Sequence, residues 1–134
     1  MEEHQEQGKQ GKKVCVVDDN DDIRDIYGTK FRREGFTVVT AGDGEEALAV
    51  IRKERPDVIL LDIQMPILDG LGVLKVLKSD GDLAKIPVVI LSNVDNEDMF
   101  QQVSELGGAQ YYLVKSLTDP QKVVDVTLKA LAER

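Results

Sequence analysis

The sequence predicts an α/β fold in which a parallel five-stranded sheet is wrapped by helices. Three observations predict it. From Lys13 onward, short apolar runs alternate with amphipathic stretches, and five such pairs follow one another. The runs Val14-Cys15-Val16-Val17 and Val58-Ile59-Leu60-Leu61 are continuously apolar, as strands covered on both faces are. Both runs then end on carboxylates, Asp18-Asp19 and Asp62, where packing gives no reason for charge.

Strands are expected near residues 13–18, 36–40, 57–62, 87–92 and 110–115, and helices near 20–34, 44–54, 70–79, 96–106 and 119–132. Asp21 and Asp22 suit the amino end of the first helix, where each carboxylate contributes about 0.3 to 1 kcal/mol against the helix dipole. Gly28 falls inside that helix and weakens it by about 1 kcal/mol relative to alanine. Gly35 and Gly107 follow the first and fourth helices, where a left-handed turn suits glycine. Asp43 with Glu46 three residues on forms a capping box for the second helix. Asp119-Pro120 opens the fifth, with proline placed where its missing donor is harmless. That helix sets Val123, Val124, Thr127, Leu128 and Leu131 on one face.

A chain of 134 residues points to one domain with a core of its own. Residues 1–12 contain no apolar residue after Met1 and are expected to form a flexible polar tail ahead of a folded unit at 13–134. His4 lies in that tail without ligand partners at metal spacing and reads as solvated. With 42% hydrophobic and 31% charged residues the composition is that of an ordinary globular protein. A formal net charge of -8 argues against a nucleic-acid surface, so partners should be proteins or small anions. The one cysteine, Cys15, sits within a strand run as a small hydrophobe, which leaves neither disulfide nor thiolate metal site. No apolar stretch is long enough for a membrane span, and the first dozen residues lack a signal-peptide core, so a cytoplasmic home is expected.

In a doubly wound sheet the ligand sits beyond the carboxyl ends of the strands. Those ends offer Asp18 and Asp19, Asp62, Ser92 and Lys115. Three carboxylates that close require a cation, and an all-oxygen set suits Mg2+, which keeps waters and leaves room for a phosphate. Ser92 and Lys115 suit anionic oxygens. Singly, Lys115 reads as a solvated lysine, Ser92 as a loop hydroxyl and Tyr112 as a half-buried sheet aromatic, with Tyr111 on the opposite side. Their joint placement carries the argument.

On the Asp18-Asp19 pair, the segment Asp62-Ile63-Gln64-Met65-Pro66-Ile67-Leu68-Asp69-Gly70, Ser92 and Lys115, the chain resembles the receiver domain of two-component response regulators, the CheY-like phospho-acceptor module. The resemblance covers residues 13–134. It implies a flavodoxin-like (βα)5 three-layer sandwich with sheet order 2-1-3-4-5. It implies that Asp62 accepts a phosphoryl group from a histidine kinase or histidine phosphotransferase. Asp19, Asp62 and the backbone carbonyl of Gln64 would bind Mg2+ directly, and Asp18 through water. Lys115 and Ser92 would hold phosphoryl oxygens, and Ser92 with Tyr112 would switch the face made by the fourth helix, fifth strand and fifth helix. Met99, Phe100, Tyr112 and Val123 are its candidate residues for a downstream protein, an effector domain or a homodimer partner. No turnover beyond the chain's own phosphorylation and dephosphorylation is implied.

Three departures from the family pattern stand out. Ser116 follows Lys115 where proline is usual and the bond is usually cis; before serine a cis bond costs about 2.5 to 4 kcal/mol, so either the bond is trans with a rearranged loop or the site is strained. Asn93 replaces a small residue and is expected to narrow access. Gln64 and Val94 occupy positions that tune the phosphoryl lifetime, which is expected to exceed that of a fast chemotaxis regulator. The chain ends without an effector domain, which fits a single-domain regulator or a receiver belonging to a longer protein. Two other functions compete: a phosphorylation-independent interaction module, and a Mg2+-dependent phosphatase of the haloacid dehalogenase type. The phosphatase needs an aspartate where this chain has Gln64.

Overall fold

The structure, a computed structural model, describes residues 11–133; the expected polar tail lies, apart from Gly11 and Lys12, outside the described residues. Five strands and five helices alternate: β1 Lys13–Val17, α1 Asp21–Arg33, β2 Thr37–Ala41, α2 Gly44–Glu54, β3 Val58–Leu61, α3 Gly70–Ser79, β4 Val88–Ser92, α4 Glu97–Leu106, β5 Tyr111–Val114 and α5 Pro120–Glu133. All pairings are parallel and the order is β2-β1-β3-β4-β5, the flavodoxin-like topology. Two 3-10 turns that strand and helix periodicity did not predict lie at Leu83–Lys85 and Lys115–Leu117.

Strand alternation divides the core into two layers. Cys15, Val17, Ile59, Leu61 and Ile90 face α2, α3 and α4, where they pack with Ile51, Leu74, Leu77 and Val103. Val14, Val16, Leu60, Val89 and Leu91 face α1 and α5, against Tyr27, Phe31, Val124 and Leu131. The Cys15 thiol is fully buried and pushed up to about 12, chiefly by that burial, so it behaves as a core hydrophobe. Val123 is a correction: it is completely buried in the α1/α5 layer, because the helix turns its apolar stripe to the sheet, and it is no part of an exposed face.

The helix ends follow the expected chemistry with one change. Asp43 accepts the Glu46 N–H at 2.8 Å, but Glu46 returns to the Gly42 N–H at 2.6 Å, so the box closes one residue earlier than the standard pattern. Asp119 caps the Lys122 N–H with Pro120 as the first helical residue. Asn20, Asp69 and Asn96 cap α1, α3 and α4 in the same way. Gly35 and Gly107 take positive φ of 98° and 74°.

At Gly28 an added Cβ would meet the flexible end of Arg32 at 3.4 Å and Val38 at 3.7 Å, ordinary contacts that α1 can take. Gly28→Ala is therefore expected to stabilise the domain by about 0.5 to 1 kcal/mol, through helix propensity and reduced unfolded-state entropy. Urea unfolding checks this, and a loss of stability would show that the α1/β2 contact cannot yield.

Candidate functional site

The order β2-β1-β3 sends the chain to opposite faces on either side of β1, so the carboxyl ends of β1 and β3 border an open crevice. Val17 pairs with Leu61, and the Asp62 N–H donates to the Val17 carbonyl at 3.0 Å. That register sets Asp18 and Asp62 side by side, each one residue beyond its strand. One carboxylate oxygen from each of Asp18, Asp19 and Asp62 falls within 4.8 Å of the others. Asp18 and Asp62 are buried and Asp19 is exposed at the mouth.

Lys115 enters from the end of β5. Its Nζ lies 2.6 Å from Asp18 Oδ2 and 3.3 Å from Asp62 Oδ2. A cavity of about 270 Å³ opens over these groups, lined also by Asn20, Gln64 and Asn93. Asn93 is exposed and lines this cavity. Ser92, the last residue of β4, is fully buried behind the cavity wall.

Asp62 is only 5% exposed. Burial raises its pKa, the Asp18 charge raises it further, and Lys115 and the Ser92 hydroxyl act in the opposite direction without cancelling the rise. For Lys115, burial alone would lower the pKa, but its hydrogen bond to Asp18 and the charges of Asp62 and Asp18 outweigh that and leave it raised. The site is a crowded anionic pocket held by one ammonium. Three carboxylate oxygens and no buried nitrogen or sulfur ligand form a hard donor set, which fits Mg2+.

Behind the pocket, one residue joins the two expected switch positions. Val94 donates its N–H to Ser92 Oγ at 3.2 Å and accepts the Tyr112 hydroxyl on its carbonyl at 2.7 Å. Tyr112 lies on the α4 side of the sheet, edge-on to Phe100 with ring centroids 4.7 Å apart, whereas Tyr111 lies on the other side and donates to Glu133. No peptide bond among the described residues is cis. Lys115–Ser116 is therefore trans, the rearranged alternative of the two expected, and the chain leaves β5 through the 3-10 turn.

The segment after Asp62 was legible as a motif but not as a packing problem. Gly44 and Gly70 hold it from two sides: a Cβ at Gly44 would lie 2.0 Å from the Leu68 carbonyl oxygen, and one at Gly70 would lie 2.2 Å from that of Asp62. Ile67 within it takes a positive φ of 71° and is largely exposed. Gly44 carried no sequence signal for this role, since the neighbour it accommodates lies 24 residues away.

Residues 14–127 match the family model described as the response regulator receiver domain. The chain belongs to the receiver-domain family of two-component response regulators. Among curated relatives, the probable transcriptional regulator ycf27 of Guillardia theta is 39% identical over 123 residues, 91% of this chain and 46% of that protein. The sporulation initiation phosphotransferase F of Bacillus subtilis is 36% identical over 100 residues, covering 75% of this chain and 79% of that one. The chain spans about half the length of curated relatives such as the ycf27 regulators and the PhoP regulator of Bacillus subtilis. Among solved structures, the chemotaxis protein CheY4 of Vibrio cholerae superposes with a TM-score of 0.83 at 30% identity, over 90% of this chain and 98% of that one. The receiver domain of Francisella response regulator 1452 gives 0.82 at 31%, over 92% and 98%. Among the described residues of this receiver, no helix is long and apolar enough to cross a membrane.

Proposed function

We propose that this receiver takes a phosphoryl group onto Asp62 from the phosphohistidine of a histidine kinase or histidine phosphotransferase, with Mg2+ held at the same pocket. The observation that carries the proposal is Lys115 Nζ held between Asp18 and Asp62, beside a third carboxylate and under an open cavity. A carboxylate oxygen of Asp62 attacks phosphorus, the P–N bond breaks, and the donor imidazole leaves with its electron pair and takes up a proton. Asp19, Asp62 and the Gln64 backbone carbonyl would hold Mg2+ directly, with Asp18 acting through water. Bound Mg2+ would supply positive charge that offsets the charge of the transferring group.

Lys115 then pairs with one phosphoryl oxygen and Ser92 donates to another. Because Ser92 Oγ also accepts the Val94 N–H, its movement draws on the β4–α4 loop, and the Val94 carbonyl carries the change to Tyr112. The output is a shift between two arrangements of the α4-β5-α5 face, where a downstream protein, an effector domain or a second copy docks. Catalysis is limited to the chain's own phosphorylation and hydrolysis, in the cytoplasm.

Incubation with acetyl phosphate or phosphoramidate and Mg2+, read by intact-protein mass, tests this directly. A gain of one phosphoryl group, absent from Asp62→Asn, is expected. No gain, either here or with a kinase as donor, would favour an interaction module that works without phosphorylation. The exposed Gln64 and the apolar Val94, which offers no side-chain group to orient water, support a slow hydrolysis. Decay of the phosphoprotein within seconds would contradict that part of the proposal.

A further inference from the structure

We infer that Arg24, on the first turns of α1, is a positioning residue for the metal-binding carboxylates, an inference that rests on the Mg2+ site proposed above. Asp18 is clamped at every polar atom. Its N–H donates to the Ala41 carbonyl at 3.1 Å, Oδ1 accepts the Asn20 N–H at 3.0 Å, and Oδ2 pairs with Lys115 at 2.6 Å. The remaining atom, its backbone carbonyl, accepts Arg24 Nη1 at 2.7 Å. This carbonyl belongs to the peptide that joins Asp18 to Asp19, so the guanidinium fixes the plane from which the exposed Asp19 carboxylate departs.

The guanidinium is itself held. Its other terminal nitrogen, Nη2, pairs with Asp21 one helical turn back, which orients the planar fork toward the loop. Gly42 lies against Nη1 as well: a Cβ there would approach it to 3.0 Å, and the Gly42 N–H is in turn held by Glu46. Arg24 therefore fills the gap between the β1–α1 and β2–α2 loops, and Gly42 leaves the room for it. Its direct contact with the site is the Nη1 bond to the Asp18 carbonyl, so it acts there through the orientation of the Asp18–Asp19 peptide. Groups that hold a ligand's supporting atoms in this way typically change metal affinity by 10 to 100-fold when removed.

The test is Mg2+ titration by calorimetry of the wild type, Arg24→Ala, Arg24→Lys and Gly42→Ala, with urea unfolding in chelator beside it. Arg24→Ala is expected to weaken Mg2+ binding about tenfold. Arg24→Lys, which keeps one donor for the Asp18 carbonyl, should recover part of the loss. Gly42→Ala leaves the arginine in the chain but pushes Nη1 aside, and should weaken binding in the same direction. Unchanged or tighter binding in Arg24→Ala would overturn the inference, tighter binding being what a purely repulsive charge would give. If Arg24→Ala does not fold, the lysine and Gly42 variants decide. A second readout needs no metal: the Asp19 and Asn20 amide resonances of the chelated protein should shift, and the Asn20 amide should exchange faster, in Arg24→Ala. Unmoved amides would overturn the positioning role, whereas moved amides in a protein that binds no Mg2+ would count against the metal site alone.

Discussion

Gly70→Ala is expected to cost the domain about 3 kcal/mol or more, the upper end of what overpacking a well-filled interior does. Gly70 follows the Asp62 segment as the first residue of α3, and its N–H donates to the Ile63 carbonyl at 2.8 Å. A methyl group there would lie 2.2 Å from the Asp62 carbonyl oxygen and 2.8 Å from Ile63 Cα, so backbone rather than a pliable side chain must give way. Glycine is required for space, not for conformation, because φ at Gly70 is not positive. The displaced atoms belong to the nucleophile's own peptide unit. Phosphorylation from acetyl phosphate should therefore fall along with stability. Gly81→Ala is the control, since nothing lies within 4 Å of its Cβ position. Urea unfolding of the two variants measures the difference, and equal midpoints would show that the loop relaxes freely.

Asp62→Asn, besides abolishing phosphorylation, is expected to stabilise the metal-free protein at neutral pH, because it removes a carboxylate charge that burial and Asp18 disfavour. Burial and Asp18 raise the Asp62 pKa above its ordinary 3.8, so the folded state holds the proton more tightly than the unfolded chain does. A raised folded value means that the carboxyl's favourable contribution is complete below the unfolded pKa and is lost as pH rises through the folded one. At neutral pH the ionised group is a burden. Asparagine removes that burden and keeps an oxygen for the Ile63 N–H, bonded now at 2.8 Å, while Lys115 keeps Asp18. The advantage of the variant should shrink as the wild type is titrated through the folded pKa of Asp62 toward 3.8. Added Mg2+ should raise the wild-type midpoint more than that of the variant, because only the wild type offers the full carboxylate set. A pH-independent loss of stability in Asp62→Asn would show instead that the Lys115–Asp62 pair outweighs the burial of the charge.

The candidate site was legible because its residues sit where strands stop. An apolar run that ends on Asp18-Asp19 or on Asp62 marks a sheet edge and a cation in a single pattern, and parallel topology brings such ends together. Ser92 and Lys115 gained meaning only jointly, from occupying the remaining strand ends. Val123 misled because the resemblance points to the α4-β5-α5 face without saying which α5 residues reach solvent, whereas helical periodicity groups Val123 with the apolar stripe that the sheet buries. The Glu46 arm of the capping box shifted to Gly42 because a carboxylate takes whichever free N–H the β2–α2 loop presents.

The sequence by itself determined the five strand–helix pairs, the Asp43 and Asp119 caps and the chemistry of the strand-end residues, since these follow from local periodicity and from the preferences of single side chains. Only the tertiary structure decided that Gly44 and Gly70 hold the Asp62 segment, that Val94 joins Ser92 to Tyr112, and that Arg24 closes the clamp on Asp18. Those are contacts between separate loops, where space and a hydrogen-bond partner are supplied by residues elsewhere in the chain, and no local pattern encodes them.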